Sequence, residues 1–476
     1  MKKQMPFALY NTLLCLLTAA VLALACLCVE AAEERFYLKW DVSADRVSEL
    51  SEYTMEKLNT LSQDVVFYPV YSSALSSDLR DLQTETLLKM AAVCERVRVE
   101  EIDANTQPQK LLKLAGETEC VADGTVFVSN GDGTRVVRLN AEEFLFSRRI
   151  EEEIFTIYCG EAQLIGAMER VCTENPVAVW FVNGHGEAGL EACGQFALQL
   201  RAMGFEVHSG TLDMIQPDPQ DVLVMINPQT DLTGGETALI KAFLDAGGDW
   251  LLACGADTPF DHLPSLLALC DVYGLGYQPG WTVESSAETQ RFIEKPEWLS
   301  PALASDNGVM DSLDGRLILT RACALAHAQI RPGIETAALL TTSPKAVLKA
   351  DAAGNAMQRE AGDQSGSMTL ALLAQSGDMH ILQLASAEML MDDVQLTGTS
   401  VLDASENLAF LSACLETITD QGSGATLDAG VKRLAAQLIT FPSEQEKQAV
   451  SLVFLLALPC VILLAMSVVL LRRRRL

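Results

Sequence analysis

The residues best suited to chemistry in this chain are Asn183-Gly184-His185-Gly186-Glu187, which close the apolar run 177–183 and lead into an amphipathic stretch. Glycines on both sides of the histidine let the backbone turn tightly at the carboxyl end of a strand, where open α/β sheets hold their ligands. A histidine with a glutamate two residues on can bind a ligand or shuttle a proton. The structural alternative is that Glu187 complements the positive end of the next helix while His185 hydrogen-bonds across the turn. A second loop, Asn227-Pro228-Gln229-Thr230-Asp231-Leu232, follows another apolar run. Gln229 and Asp231 can line a ligand crevice beside His185, or Asp231 can join Thr233 in capping the next helix. Cys254 ends a third run, Leu251-Leu252-Ala253-Cys254-Gly255, and with His185 and Glu187 it makes a Cys-His-Glu set if the three converge. Its small neighbours suit a tight elbow, yet Pro259 arrives where such an elbow needs a firm helix start, and cysteine is also an ordinary buried residue. The chain has no GxxxxGK[ST] and so no recognisable ATPase of its own. His185, His208, His262, His327 and His380 are scattered without ligand spacing, so neither a metal nor another cofactor is expected.

These loops need strands and helices to hold them. The runs 177–183, 205–212, 221–228 and 249–255 are almost wholly apolar and alternate with helical stretches at 187–203 and 233–246. Continuous apolar strands alternating with amphipathic helices imply a parallel sheet covered on both faces, a doubly wound domain of Rossmann or amidotransferase-like type. Later strands are expected at 316–320, 368–376 and 379–386, and a helix at 407–419. Upstream, apolar runs at 65–72, 96–103, 125–130 and 135–140, with helices at 76–94 and around 108–114, give the order β-α-β-α-β-β. The Asn130-Gly131-Asp132-Gly133 turn marks a hairpin. That order suits a thioredoxin-like small α/β domain without the redox CxxC.

The ends of the chain differ in kind from its middle. Residues 7–29 and 449–471 are each 23 residues long without a charge. At ~1.5 Å per residue each helix reaches roughly 34 Å, enough for a hydrocarbon core of ~30 Å. Lys2 and Lys3 precede the first and Arg472 to Arg475 follow the second, while glutamates flank the inner sides. The positive-inside rule then puts both termini in the cytoplasm and residues 30–448 outside the cell membrane. A cleaved signal peptide ending near Ala31 and Ala32 is the alternative for the first segment, but its apolar run exceeds a signal core of ~7 to 15 residues. The expected organisation is a cytoplasmic N-terminus (1–6), a transmembrane helix (7–29), the thioredoxin-like domain (30–146), a helical connector (147–176), the doubly wound domain (177–420), a juxtamembrane linker (421–448), a second transmembrane helix (449–471) and a basic tail (472–476).

Of 34 basic residues six sit at the extreme ends, so the middle carries 28 against all 63 acidic ones. A body that acidic repels phosphate backbones and excludes nucleic acid as a partner. Nine of the 13 cysteines lie in that middle, an odd number without CxxC spacing, and read mostly as small buried apolar residues.

Taken in order, the chain resembles the GldG family, the auxiliary component of ABC-2 type transport systems. The resemblance rests on Arg35-Phe36 to Asp41, Leu50-Ser51 and Thr54, Ile102-Asp103 with Pro108, Gly160-Glu161 with Ala167, and Gly184-His185-Gly186-Glu187. It continues through Pro228-Gln229-Thr230-Asp231-Leu232, Gly247-Gly248, Thr342-Ser343, Asn407, and Pro459 before the terminal arginines. It implies a non-catalytic exported domain held by two membrane helices and working with a separate permease and a separate cytoplasmic ATPase. Cys254 and the stretch 257–335 depart from the pattern. Two other readings stand beside it: a membrane-anchored amidotransferase-like hydrolase using Cys254, His185 and Glu187, and a stand-alone ligand-sensing surface domain.

Overall fold

A computed structural model describes residues 49–71, 77–116, 121–150, 153–285, 292, 295–304, 316–326, 331–350, 359–396, 399–421 and 427–433. The apolar segments 7–29 and 449–471 lie outside the described residues, and no helix among those described is long and apolar enough to cross a membrane. The fold is mixed α/β.

The first sheet is built around β1 (Val65–Tyr71), six of whose seven residues are buried, as its unbroken apolar run requires of a central strand. It pairs in parallel with β2 (Val97–Val99) and then β3 (Ile102–Asp103), and antiparallel with β4 (Val126–Asn130), which pairs with β5 (Val136–Leu139). Pro69 has no N–H to give a ladder, and it sits where the parallel partner breaks between β2 and β3. Helices α1 (Glu52–Thr60), α2 (Ser77–Val93) and α3 (Pro108–Ala115) complete this part. Ser51 caps α1 by accepting from the Thr54 amide at 3.2 Å, and Pro108 stands in the first turn of α3, where a missing N–H costs nothing. The hairpin at Asn130-Gly131-Asp132-Gly133 is as expected from sequence, whereas the single strand expected over 96–103 is divided into β2 and β3, so the order is β-α-β-β-α-β-β.

The stretch 147–176 departs from a helical connector. Strands β6 (Leu145–Ile150) and β7 (Glu153–Tyr158) form an antiparallel hairpin, and only then does α4 (Gly160–Cys172) begin. Ile154-Phe155-Thr156-Ile157-Tyr158 is a run of β-branched and aromatic residues, which favour a pleated surface over a helix. Lys432-Arg433 adds a short third strand against β7.

Helix α4 is buried on nearly every side. Gly166 lets it approach α5 (Gly194–Ala202) so closely that a Cβ there would lie 2.0 Å from the Arg201 carbonyl oxygen. Glu161, fully buried, accepts from the Ser51 amide at 2.8 Å and the Thr54 hydroxyl at 3.0 Å. Its other oxygen faces the Lys432 ammonium at 3.9 Å, with the two side chains 0% and 2% exposed. Gly430, at φ +66°, folds over the same carboxyl group where any Cβ would clash.

The large sheet contains β8 (Ala178–Asn183), β9 (Glu206–Thr211), β10 (Val222–Ile226), β11 (Asp249–Ala253), β12 (Tyr277–Gln278), β13 (Ala302–Leu303), β14 (Ala324–Leu325), β15 (Glu335–Thr341), β16 (Thr369–Ser376) and β17 (Met379–Leu384). Its parallel part runs β9-β8-β10-β11-β17; β16, β15 and β14 then extend it antiparallel. Helices α6 (Gly234–Asp245), α7 (Pro264–Val272) and, later, α8 (Asn407–Thr419) accompany it. Phe181, Phe196, Phe205, Trp250 and Phe410 are at most 1% exposed in its core. Each such side chain contributes about 2 kcal/mol by leaving water. The strand expected over 316–320 shrinks to Leu319–Thr320, which pairs with Trp298–Leu299 instead of the large sheet.

The helix expected from Glu187 begins only at Gly194. Its first amides, from Gly194 and Gln195, donate to the Asp392 carboxylate at 2.8 and 3.1 Å. The N-terminus is therefore satisfied from 198 residues away, with no local acidic cap.

Two outcomes follow from these carboxylates, the first buried and the second half-buried. Glu161→Ala strips two donors of their acceptor and removes a counter-ion from buried Lys432; chemical denaturation should show a loss of about 3 kcal/mol or more. For Asp392, burial raises the carboxyl from 3.8 to about 6 against the pull of the Gln195 and Gly194 amides, with Asp393 and Asp403 adding to the rise. The folded chain thus holds this proton more tightly than the unfolded one, so the stabilising contribution is full below pH 3.8 and is lost as pH rises through about 6. Stability–pH curves of Asp392→Asn should lack that fall over the same window.

Candidate functional site

Strands β9 and β10 lie on opposite sides of β8, so the chain reverses its direction of travel across the sheet at β8 and β10. Loops leaving the carboxyl ends of two such strands diverge and open a crevice. The loop after β8 carries Gly184 at φ +118° and Gly186 at φ +78°, backbone that a β-carbon would strain. Between them His185 is 6% exposed. Its amide donates to Glu187 Oε2 at 2.6 Å, and its ring Nδ1 lies 3.0 Å from Glu187 Oε1. On the other side Nε2 is 3.3 Å from Glu236 Oε2. The imidazole is held between two carboxylates.

The loop after β10 is tied to the first. Amides of Gln229 and Thr230 both donate to the His185 carbonyl, at 2.7 and 3.0 Å, and the Ala188 amide donates to Ile226 at 2.9 Å. Gln229 packs its side chain over Gly186, where a Cβ would come within 3.0 Å, and turns its amide nitrogen to the Asn227 carbonyl at 2.9 Å. Asn227 adopts φ +51°, a conformation its short polar side chain tolerates, and accepts from the Thr258 hydroxyl at 2.6 Å. Glu236 closes a capping box with Thr233 at the start of α6. The Thr233 hydroxyl first, and the His185 ring after it, hold the Glu236 carboxyl below the usual carboxylate range.

The structure therefore brings His185, Glu187 and the backbone of Gln229 into one cluster and sets Asp231 apart. The Asp231 carboxylate accepts from the Ser265 amide at 2.9 Å and the Leu266 amide at 3.1 Å, capping α7 and not the helix that directly follows it. Burial pushes that carboxyl up, but the Ser265 and Leu266 hydrogen bonds outweigh it and leave it low. Glu187, whose side chain is wholly buried, braces the histidine and has no helix end to complement. Glu236 is the residue that sequence reasoning missed; the Thr233-x-x-Glu236 spacing of a capping box was the available signal.

Cys254 stands elsewhere. Its thiol is fully buried, with Tyr277 and Thr258 hydroxyls as hydrogen-bonding neighbours, and burial pushes it up to about 12. No hydrogen bond joins it to His185, both of whose ring nitrogens face carboxylates. A nucleophilic thiol works as the thiolate, which this environment disfavours. The eight described cysteines are all free, and six of them are buried. Among the described residues no group of three His, Cys, Asp or Glu side chains is arranged to hold a metal ion. What the crevice offers is a fixed imidazole edge, two glycines that admit a close backbone approach, and a carboxylate on the first turn of α6.

No family model matches the chain, and no curated protein does. Among solved structures it is similar to the mmIFT52 N-terminal domain, at 16% identity and TM-score 0.38, over 51% of this chain and 97% of that one. It is also similar to a putative GMP synthase component from Thermoplasma acidophilum, at 6% identity and TM-score 0.28, over 52% of this chain and 96% of the other. A third likeness is to the exo-β-1,4-mannosidase Op5Man5 from Opitutaceae bacterium strain TAV5, at 12% identity and TM-score 0.29, over 74% of this chain and 51% of the mannosidase. At these scores none of the three speaks to fold or activity.

The burial of Cys254 has a direct readout. Alkylation of the folded protein with iodoacetamide, followed by peptide mapping, should modify the half-buried Cys94 and Cys172 well before Cys254, which should react only on unfolding. Rapid labelling of Cys254 in the folded state would restore it as a candidate nucleophile.

Proposed function

We propose that this chain is a non-catalytic, membrane-anchored auxiliary subunit of an ABC-2 type transport system, as its resemblance to the GldG family implies. In this reading residues 7–29 and 449–471 are the anchors, residues 30–448 form the extracytoplasmic part, and a permease and a cytoplasmic ATPase are the partners. The small sheet is its thioredoxin-like domain and the large sheet its doubly wound, amidotransferase-like domain.

The observation that carries the reading is the meeting of both ends of the body at Glu161. Ser51 and Thr54, soon after the first apolar segment, and Lys432, shortly before the second, converge on that one buried carboxyl group. A body hung from two segments in the same membrane needs its chain to arrive and leave at one place. Residues that carry the resemblance also make the long-range bonds: Ser51, Thr54 and Glu161 bond one another, and Asn407 holds the Ile318 backbone through 3.0 and 2.8 Å contacts. A hydrolase built on Cys254 would need a reactive thiol, and its burial argues the other way. His185, Glu187, Gln229 and Asp231 then serve in ligand binding or in supporting the crevice.

Tagged full-length protein, solubilised in mild detergent from its native membranes, should bring down a permease and an ATPase identifiable by mass spectrometry. Recovery of the chain alone, from cells that contain both, would favour a stand-alone surface domain.

A further inference from the structure

A cleft of about 500 Å³ lies away from the His185 crevice, between the β6–β7 hairpin and the first turns of α5. That volume is within the range of small-molecule sites, ~300 to 1,000 Å³. Its walls are apolar where Phe146, Ile154, Leu190 and Leu198 face it. Ile154, 59% exposed, presents its side chain at the cleft.

The charged groups of the cleft are mainly acidic. Glu142, Glu143 and Asp392 line it against a single cation, Arg201, and that cation already faces Glu143 at 3.5 Å. Asp392 accepts two helix amides, yet a carboxylate has about four acceptor positions, so it can take a further donor. Gln195 supplies the independent sign of a ligand. The residue is 6% exposed and lines the cleft, and its side-chain amide makes no hydrogen bond within the described residues. An amide that faces a cleft with no protein partner keeps its donor and acceptor positions free for a ligand.

We propose that this cleft binds a small amphiphilic cation, an amine or guanidinium carried on an apolar body. The charged head sits between Asp392 and Glu142 within reach of the Gln195 carbonyl, and the body lies along Phe146, Leu198 and Ile154. The acidic balance of the chain raises the local concentration of such cations. The proposal stands on the cleft alone and does not depend on the transport reading.

The test uses the full chain in lipid nanodiscs, with empty nanodiscs as the blank, and saturation-transfer NMR as the readout. Three probes share one apolar body: 2-phenylethylamine, 2-phenylethanol and 3-phenylpropionate. The amine should bind with a dissociation constant of about 1 mM, the scale for so small a ligand. The alcohol and the acid should bind at least about tenfold more weakly, the loss expected when a hydrogen bond to a charged group is missing. Asp392→Asn, which keeps an acceptor for the α5 amides, should weaken amine binding by about tenfold. Gln195→Leu, which buries no new polar group, should weaken it by a few-fold while circular dichroism stays native. Equal binding of all three probes, no amine binding up to about 10 mM, or amine binding unchanged in folded Gln195→Leu would each overturn the proposal.

Discussion

The buried carboxyl group of Glu161 is the point on which the rest of the body hangs. It sits at the start of α4, the helix that packs on β4 and β5 on one side and on α5 on the other, so it lies at the seam between the two sheets. Withdrawing a carboxylate from water costs several kcal/mol, and only close partners offset it. Here those partners come from both extremes of the described chain: the Ser51 amide and Thr54 hydroxyl before the small sheet, and the Lys432 ammonium after the large one. Such a group adds little net stability over an apolar packing of equal volume. What it does is tie residues from the two ends of the described chain to one buried group. Gly430 is part of the same constraint, since its close approach over the carboxyl leaves no room for a side chain.

The crevice at His185 follows from a different constraint, the order of the parallel strands. With β9 and β10 on opposite flanks of β8, the loops leaving the carboxyl ends of β8 and β10 diverge, yet three hydrogen bonds draw them back together around the His185 carbonyl and the Ile226 carbonyl. The result is a rigid turn. The imidazole has little freedom to rotate without losing Glu187 or Glu236, so any ligand meets a preset edge and any chemistry must work through a ring already hydrogen-bonded on both sides.

Legibility in the sequence tracked the range of the interaction. Strands β8, β10 and β11 were readable because a centrally placed parallel strand buries both faces and leaves an unbroken apolar run. The Asn130-Gly131-Asp132-Gly133 hairpin was readable because turn chemistry is local. In the hairpin at 145–158, Arg148, Arg149 and the Glu151-Glu152-Glu153 run interrupt the apolar pattern of a strand; Arg148 is satisfied by Asp403 and Asp428, more than 250 residues on. The start of α5 failed for the same reason. Its cap, Asp392, has no sequence relation to the helix it serves. At the crevice, residue types and loop positions were legible for His185 and Glu187, whereas Asp231 capping α7 instead of α6 depended on how two loops meet in space.

Glu161 and Asp392 show how one residue type takes opposite roles from its surroundings. Glu161 faces a cation and two donors, all at fixed positions, and its charge locks the ends of the chain. Asp392 also receives two amides, but partial burial first, and the acids Asp393 and Asp403 after it, disfavour its ionised form, and the helix end only partly offsets them. A carboxylate so placed gains more from an added cation than one already paired, because the added charge relieves repulsion as well as forming a bond. Rigidity is thus concentrated where the chain enters and leaves the body. The cleft, by contrast, is lined by a carboxylate that no cation faces closely and by an amide with no partner among the described residues.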